Sequence, residues 1–392
     1  MDFTVVDNLA EHRAFAAEWA DRNIDPSWPD EQYRTGKYHT KPLHEKLAAD
    51  GWLGAGWPEE YGGTGNDPGR ARAIVEEVQS RGLHMDGWST TQMICRTLLQ
   101  VGTEEQKRDI IPRALAGEVI IVLGYTEPDS GSDAAAAKMR AVRDGDDWVI
   151  DGQKMFTSTA DQSTHIFLLT RTNPDVPKHK GLTMFLVETS TPGIDMHPIH
   201  TLGGQLTNAT FYSDVRVPDS TRVGGVDEGW SVMHVALVYE RGGGGGGTGG
   251  PTLPERVARW AQSTSNEDGS PVYDDPAVRE RLAWMATEQE VSRLLNMRTA
   301  WVAETGGLPG TEGSTAKLFS SEAAQRHHWD LLDILGPEAV LSPDAPGAPL
   351  EGMVEHSFRY GVVGTIYGGA SEIMREIVAE RTLGLPRNRP SR

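Results

Sequence analysis

The chain has 392 residues, 38% hydrophobic and 24% charged, which is enough for two or three packed regions and the balance of a globular fold. Acidic residues outnumber basic ones, 56 to 37, for a net charge of −19, so nucleic acid and anionic membrane make poor partners. No apolar run approaches the roughly 20 residues of a membrane span.

The first residues, Met1-Asp2-Phe3-Thr4-Val5-Val6-Asp7, form neither a basic nor an apolar export region. Cys95 is the single cysteine. It rules out an internal disulfide framework and points to the cytoplasm. Its neighbours Met93, Ile94, Leu98 and Leu99 mark it as a core residue rather than a nucleophile. No metal is expected.

Residues 1–118 read as helical. Leu9, Phe15, Ala16, Trp19 and Ala20 form one helical stripe, and Leu43, Leu47, Ala48 and Trp52 another. Gly51 to Pro58 breaks the second helix, and Glu60 to Gly65 is a turn-rich loop. Thr103-Glu104-Glu105-Gln106 is a capping box opening a further helix. Between 119 and 226 the period shifts to that of strands. Val119–Leu123, Ala141–Arg143, Trp148–Ile150, His165–Thr170, Leu182–Val187, Ala209–Tyr212 and Val215–Pro218 are strand-like, with Asp144-Gly145 as the turn of a hairpin. From 227 to 392 helices return: one through Arg279–Leu295, one from Ala323 to Leu335 and one from Ser371 to Leu383, stopped by Gly384 and Pro386. The expected fold class is α+β, with an N-terminal helical domain, a middle β-domain carrying a loop for a cofactor, and a C-terminal helical bundle.

The first strand empties into Gly124-Tyr125-Thr126-Glu127-Pro128-Asp129-Ser130-Gly131-Ser132-Asp133. Such a loop is rich in backbone N–H groups and hydroxyls, the groups that hold a phosphate or the polar edge of a flavin. The hairpin then leads to Asp151-Gly152-Gln153-Lys154-Met155-Phe156-Thr157-Ser158. A third motif, Ile366-Tyr367-Gly368-Gly369-Ala370-Ser371-Glu372-Ile373, lies near the C-terminus. Together, in order and spacing, these segments closely resemble those of the acyl-CoA dehydrogenases, and the resemblance runs over essentially the whole chain.

The resemblance implies FAD as cofactor, an acyl-CoA thioester as substrate, and an electron-transfer flavoprotein or similar acceptor. It places Tyr125, Thr126, Ser132, Phe156, Thr157 and Ser158 at the flavin, and Ser132, Arg241 and Gly369 at the substrate. Removing hydrogen from the α and β carbons of a thioester needs a carboxylate base. Many members carry it directly after the Ile-Tyr of the third motif, where this chain has Gly368. A subset resembling the isovaleryl and long-chain enzymes places a Glu before an Arg on an earlier helix, and Tyr239-Glu240-Arg241 stands at the matching place. Glu240 is therefore the candidate catalytic base. The bland reading is a helix-surface acid.

Two departures concern the neighbouring subunit. No Arg stands within Thr264–Pro271, where the family has one that crosses to the partner's flavin. A Gln-Ile-Phe-Gly-Gly pattern appears as Asp333-Ile334-Leu335-Gly336-Pro337. The self-contained half of the flavin site is intact while the donated half is degraded. This combination resembles the α subunits of actinobacterial heterotetrameric dehydrogenases of steroid side-chain thioesters, and implies a heteromeric partner of the same family. A flavin monooxygenase or oxidase on the same fold, and a non-catalytic partner subunit, are the alternatives. The run Gly242–Gly247 satisfies a nicotinamide-binding pattern, but Glu240 would repel a pyrophosphate there and no ribose-binding acid follows. It reads instead as a flexible loop, or as small residues making room for a wide acyl group.

Overall fold

In the computed structural model, residues 9–242, 251–304 and 310–387 are described. They divide into two compact units, one formed by 9–201 with 205–240 and the other by 202–204 with 241–242, 251–304 and 310–387.

The first unit opens with helices α1 (Leu9–Asn23), α2 (Trp28–Thr35), α3 (Lys41–Ala49), α4 (Pro68–Ser80), α5 (Asp86–Val101) and α6 (Glu104–Leu115). The predicted apolar stripes face inward: Ala16, Trp19, Ala20, Leu43 and Leu47 are buried. The capping box forms as expected, Thr103 Oγ1 accepting from Gln106 N at 3.2 Å and Gln106 Oε1 from Thr103 N at 3.1 Å. Gln106 also donates to the carbonyls of Ser220 and Arg222, which ties α6 to the end of the sheet. Cys95 is fully buried, and burial pushes its thiol up to about 12, so it stays protonated and inert.

His39 and His44 lie 4.9 Å apart by ring centroid, buried, with no partner for any of their four ring nitrogens. Desolvation holds them down to about 3 and about 4. The sign follows from linkage. Both folded values lie below the ordinary 6.5, so the unfolded chain binds more protons and stability falls as pH drops below about 6.5. The expected loss between pH 7.5 and 5.5 is about 1.4 kcal/mol per ring. Denaturant midpoints at pH 7.5 and 5.5 check this. Replacing both rings by Phe should flatten that difference.

The sheet holds β1 (Ile121–Gly124), β2 (Arg140–Asp144), β3 (Asp147–Lys154), β4 (His165–Arg171), β5 (Leu182–Glu188), β6 (Ile194–His200), β7 (Leu206–Pro218) and β8 (Arg222–Val223). Strand order is β6-β7-β3-β2-β4-β5-β8, with β1 parallel to β4. The hairpin is out by one residue from the sequence reading: Asp144 pairs with Asp147, so the turn is Gly145-Asp146, with Gly145 at φ +65°. The segments read as two strands, 209–212 and 215–218, are one long β7 that bends at Asp214 (φ +50°). A register shift between Ile150 and Gly152 puts the backbone of Gly152 against Met139, where a Cβ would meet Met139 atoms at 2.9–3.1 Å. Strand β6 escaped the sequence reading because its pattern of Ile, Met and Ile among polar residues is largely exposed. The unit ends with α7 (Gly229–Gly242), whose residues to Glu240 belong to it.

The second unit contains α8 (Leu253–Ser263), α9 (Pro276–Glu304), α10 (Glu312–Leu335), α11 (Met353–Gly361) and α12 (Ser371–Arg381). Helix α10 begins eleven residues before the predicted Ala323, because its first turns carry polar residues. Glu288 is nearly buried between Arg326 (2.6 Å) and His327 (2.8 Å), which joins α9 to α10. Trp284, Trp329, Ile366 and Tyr367 remain more than half exposed. No helix among the described residues is long and apolar enough to cross a membrane. The glycine run from Gly243 lies outside the described residues.

Candidate functional site

The loop after β1 is held from inside. Glu127 and Ser130 exchange backbone hydrogen bonds at 2.9 and 3.1 Å, closing a tight turn over Pro128-Asp129. The Glu127 carboxylate is buried and accepts from Lys138 N (2.7 Å), Met139 N (3.0 Å) and Lys154 Nζ (2.7 Å). Lys154, with no exposed side-chain surface, also donates to the Tyr125 carbonyl at 3.2 Å. Burial pushes its ammonium down to about 8, against the pull of Glu127. Arg171 secures the far side of the loop, donating to the carbonyls of Ala135 (2.6 Å), Ala137 (3.2 Å) and Lys178 (2.7 Å). The sequence reading assigned no role to these three residues. Glu127 and Lys154 stand inside the two motifs, an acid and a base on segments expected to meet, and that was the available signal.

Beyond the turn the chain opens. The Gly131, Ser132 and Asp133 N–H groups have no acceptor among the described residues, and a Cβ on Gly131 would meet nothing within 4 Å. Ser132 is exposed. Ser130, not singled out from the sequence, has a buried hydroxyl without a partner. Free N–H groups beside an orphaned hydroxyl fit the acceptor-rich edge of a flavin and its phosphates. The Thr126 carbonyl is taken by Met155 N at 2.9 Å, so its hydroxyl is the group left to offer.

The segment after β3 is strained and clamped. Phe156 at φ +57° and Thr159 at φ +62° bracket Thr157 and Ser158, an uncommon backbone for bulky or branched residues that persists where surroundings over-determine it. The clamp is Asn208: its carbonyl accepts from Thr157 N at 2.9 Å and its amide donates to Thr157 O at 3.3 Å. Phe156 is thereby thrust outward, 58% exposed, as a flat aromatic surface. The Ser158 hydroxyl lies 3.1 Å from Thr207 Oγ1. The Thr157 side chain is fully buried, its hydroxyl turned towards Thr210, while its backbone N–H and C=O are both taken by Asn208. The Tyr125 phenol oxygen is buried without a partner, and the Glu240 carboxylate helps burial to push that phenol far above its ordinary value.

Glu240 sits half-buried in the last turns of α7, in the same unit as this loop. The side chain of Arg241 lies outside the described residues. In the other unit, the third motif turns through Gly368 (φ +62°) and Gly369 (φ +101°) into α12. Lys317 Nζ fixes the turn by donating to Gly369 O at 2.5 Å. The segment 264–271 is an exposed hairpin closed by Asn266 N donating to Ser270 O. Asp333 is paired with Arg281 at 3.3 Å.

Comparison with known proteins gives the family. Family models for the N-terminal, middle and C-terminal domains of acyl-CoA dehydrogenases match residues 7–118, 122–230 and 227–383. The chain is 36% identical to acyl-CoA dehydrogenase FadE26 of Mycobacterium tuberculosis, covering 91% of this chain and 90% of that protein. It is 33% identical to FadE29 of the same organism, covering 97% and 99%. Among solved structures, it matches the Tcur3481-Tcur3483 steroid ACAD with a TM-score of 0.88 and 37% identity over 99% of this chain and 100% of that one. It matches the ChsE4-ChsE5 complex of Mycobacterium tuberculosis at 0.85 and 33%, with coverage of 99% and 100%. The chain belongs to the acyl-CoA dehydrogenase family, FAD-binding oxidoreductases that act on CH–CH bonds.

Proposed function

We propose that this chain is the base-supplying, flavin-binding subunit of a heteromeric acyl-CoA dehydrogenase acting on a bulky, steroid side-chain thioester. Residues 1–118, 119–226 and 227–392 are its three domains. The observation that carries the reading is Glu240, a half-buried carboxylate in the last turns of α7 in the unit that holds the flavin loop. The third motif offers only Gly368 in place of a base.

In this reading Glu240 removes the α proton of the thioester. Bound FAD would supply the acceptor for the β hydride, with an electron-transfer flavoprotein or similar acceptor to take the electrons onward. The Gly131–Asp133 N–H groups and the Ser130 and Ser132 hydroxyls would hold the cofactor's polar edge, and Phe156 and Ser158 would serve its ring. Arg241 and Gly369 serve the substrate. CoA brings phosphates to an acidic protein, and Lys180 supplies local positive charge beside Lys178, which is paired with Asp133.

The heteromer rests on what each chain would donate to its neighbour. With no Arg in the 264–271 hairpin and Asp333 engaged by Arg281, a like copy offers no pyrophosphate contact, a loss of about 1.5–3 kcal/mol per charge-assisted hydrogen bond. The exposed Trp284, Trp329, Ile366 and Tyr367 suit a further protein surface. The steroid substrate rests on the similarity to a steroid ACAD. Co-expression with the genomic neighbours tests the reading. Yellow protein should appear only with a partner of the same family and should release FAD. Full, tightly held FAD in a complex of this chain alone would contradict the heteromer, and release of FMN would contradict the cofactor assignment.

A further inference from the structure

Three polar side chains of β7 meet the strained segment after β3. Asn208 clamps the backbone of Thr157, and Thr210 Oγ1 lies 3.5 Å from the Thr157 hydroxyl. The third is Thr207, whose Oγ1 stands 3.1 Å from Ser158 Oγ. Thr207 is 3% exposed, while Ser158 is half-buried. Neither hydroxyl forms another hydrogen bond among the described residues.

A hydroxyl has one hydrogen to donate and two lone pairs to accept with. Burial shuts Thr207 off from water, and Ser158 Oγ is the one acceptor within its reach. If Thr207 accepted instead, its own O–H would be a buried donor without a partner, which is costly. The pair therefore has a direction: Thr207 donates and Ser158 accepts. The Ser158 hydrogen is turned away from Thr207 and is free to be offered elsewhere. The residue types suit this division. Thr207 is β-branched and sits in the ladder opposite Ile199 of β6, so its rotamer is narrowly set. Ser158 is unbranched. Its backbone is fixed by Phe156 and Thr159 at positive φ and by its own N–H donating to Phe156 O at 3.0 Å, but its hydroxyl is held by Thr207 alone.

We infer that Thr207 is a positioning residue for the flavin: by donating to Ser158 it makes the Ser158 hydroxyl a donor towards the isoalloxazine ring. This rests on the flavin-binding reading above and adds to it a residue that touches no cofactor itself. Hydrogen bonds to a flavin ring tune its electronics, and a hydroxyl that already accepts one hydrogen bond is the better donor of the next. Loss of Thr207 Oγ1 therefore reaches the flavin's potential through Ser158.

The test measures the flavin reduction potential and visible spectrum of the assembled, FAD-containing complex. Thr207→Val keeps the branched shape and removes the hydroxyl, and should shift the potential in the direction that Ser158→Ala shifts it. The double variant should shift no further than Ser158→Ala, because the two residues act as one unit. Thr207→Ser restores a donor and should return the potential towards that of the wild type, which a merely structural role for Thr207 would not do. Should Thr207→Val fail to assemble, Thr207→Ala closes the same cycle. A wild-type potential in Thr207→Val, where Ser158→Ala has shifted it, overturns the inference and leaves the flavin reading standing, as do shifts that simply add. A wild-type potential in Ser158→Ala overturns the inference and takes Ser158 away from the ring. A wild-type complex that holds no flavin overturns the flavin reading itself.

Discussion

Glu240→Gln is expected to lower dehydrogenation by about 10²–10⁴-fold, the contribution typical of a positioned general base, while leaving flavin content and thioester binding nearly unchanged. The substitution keeps size and hydrogen-bonding reach and removes only basicity. The loss should therefore appear in kcat and kcat/KM alike, the pattern of an interaction made only in the transition state. Steady-state turnover with an artificial electron acceptor, alongside the FAD-to-protein ratio, measures both. Moving the base to the third motif by adding Gly368→Glu should recover little. Gly368 has φ +62°, a conformation that strains a residue with a Cβ. Near wild-type turnover of Glu240→Gln would place the base elsewhere.

The second large effect is structural. Lys154→Met leaves the buried Glu127 carboxylate without its cation and should cost about 3–5 kcal/mol, the usual penalty for breaking a buried pair. That is a large part of the stability of a typical domain, about 5–15 kcal/mol. Flavin should be lost with it, because Glu127 also anchors the N–H groups of Lys138 and Met139 and Lys154 holds the carbonyl of Tyr125. Replacing both partners with apolar residues should recover only part of the loss, since the two backbone N–H groups would then lack their acceptor. Denaturant unfolding together with flavin absorbance decides this. Wild-type stability and flavin content in Lys154→Met would show that the pair does not hold the loop.

The sequence disclosed much of this arrangement because the periodic and punctuated parts of the chain obey local rules. The stripe of Ala16, Trp19 and Ala20, the Thr103–Gln106 box and the alternating strands β4 and β5 all formed where local chemistry placed them. The turn at Gly145-Asp146 slipped by one residue because two acidic residues follow the glycine, and register is set by the pairing of Val149 with Val142 rather than by composition. Strand β6 was illegible because it is exposed. At the site, the residue types were legible but their directions were not. Thr157 and Tyr125 were both expected at the flavin. The Thr157 hydroxyl is buried against Thr210, and the Tyr125 phenol is buried without a partner. Ser130 has the buried hydroxyl that the loop needs, and only the turn closed by Glu127 reveals it.

The most direct measurement of the central claim, that this chain supplies the base beside its own flavin loop, separates proton removal from hydride transfer. The assembled complex is mixed in deuterated water with an acyl-CoA analogue whose β position carries sulfur and no hydrogen, so only the α proton can leave. Mass spectrometry then follows deuterium entering the α carbon. The wild type should exchange that proton well above the rate without protein, and Glu240→Gln, with FAD still bound, should not. Exchange at the wild-type rate in Glu240→Gln would contradict the account.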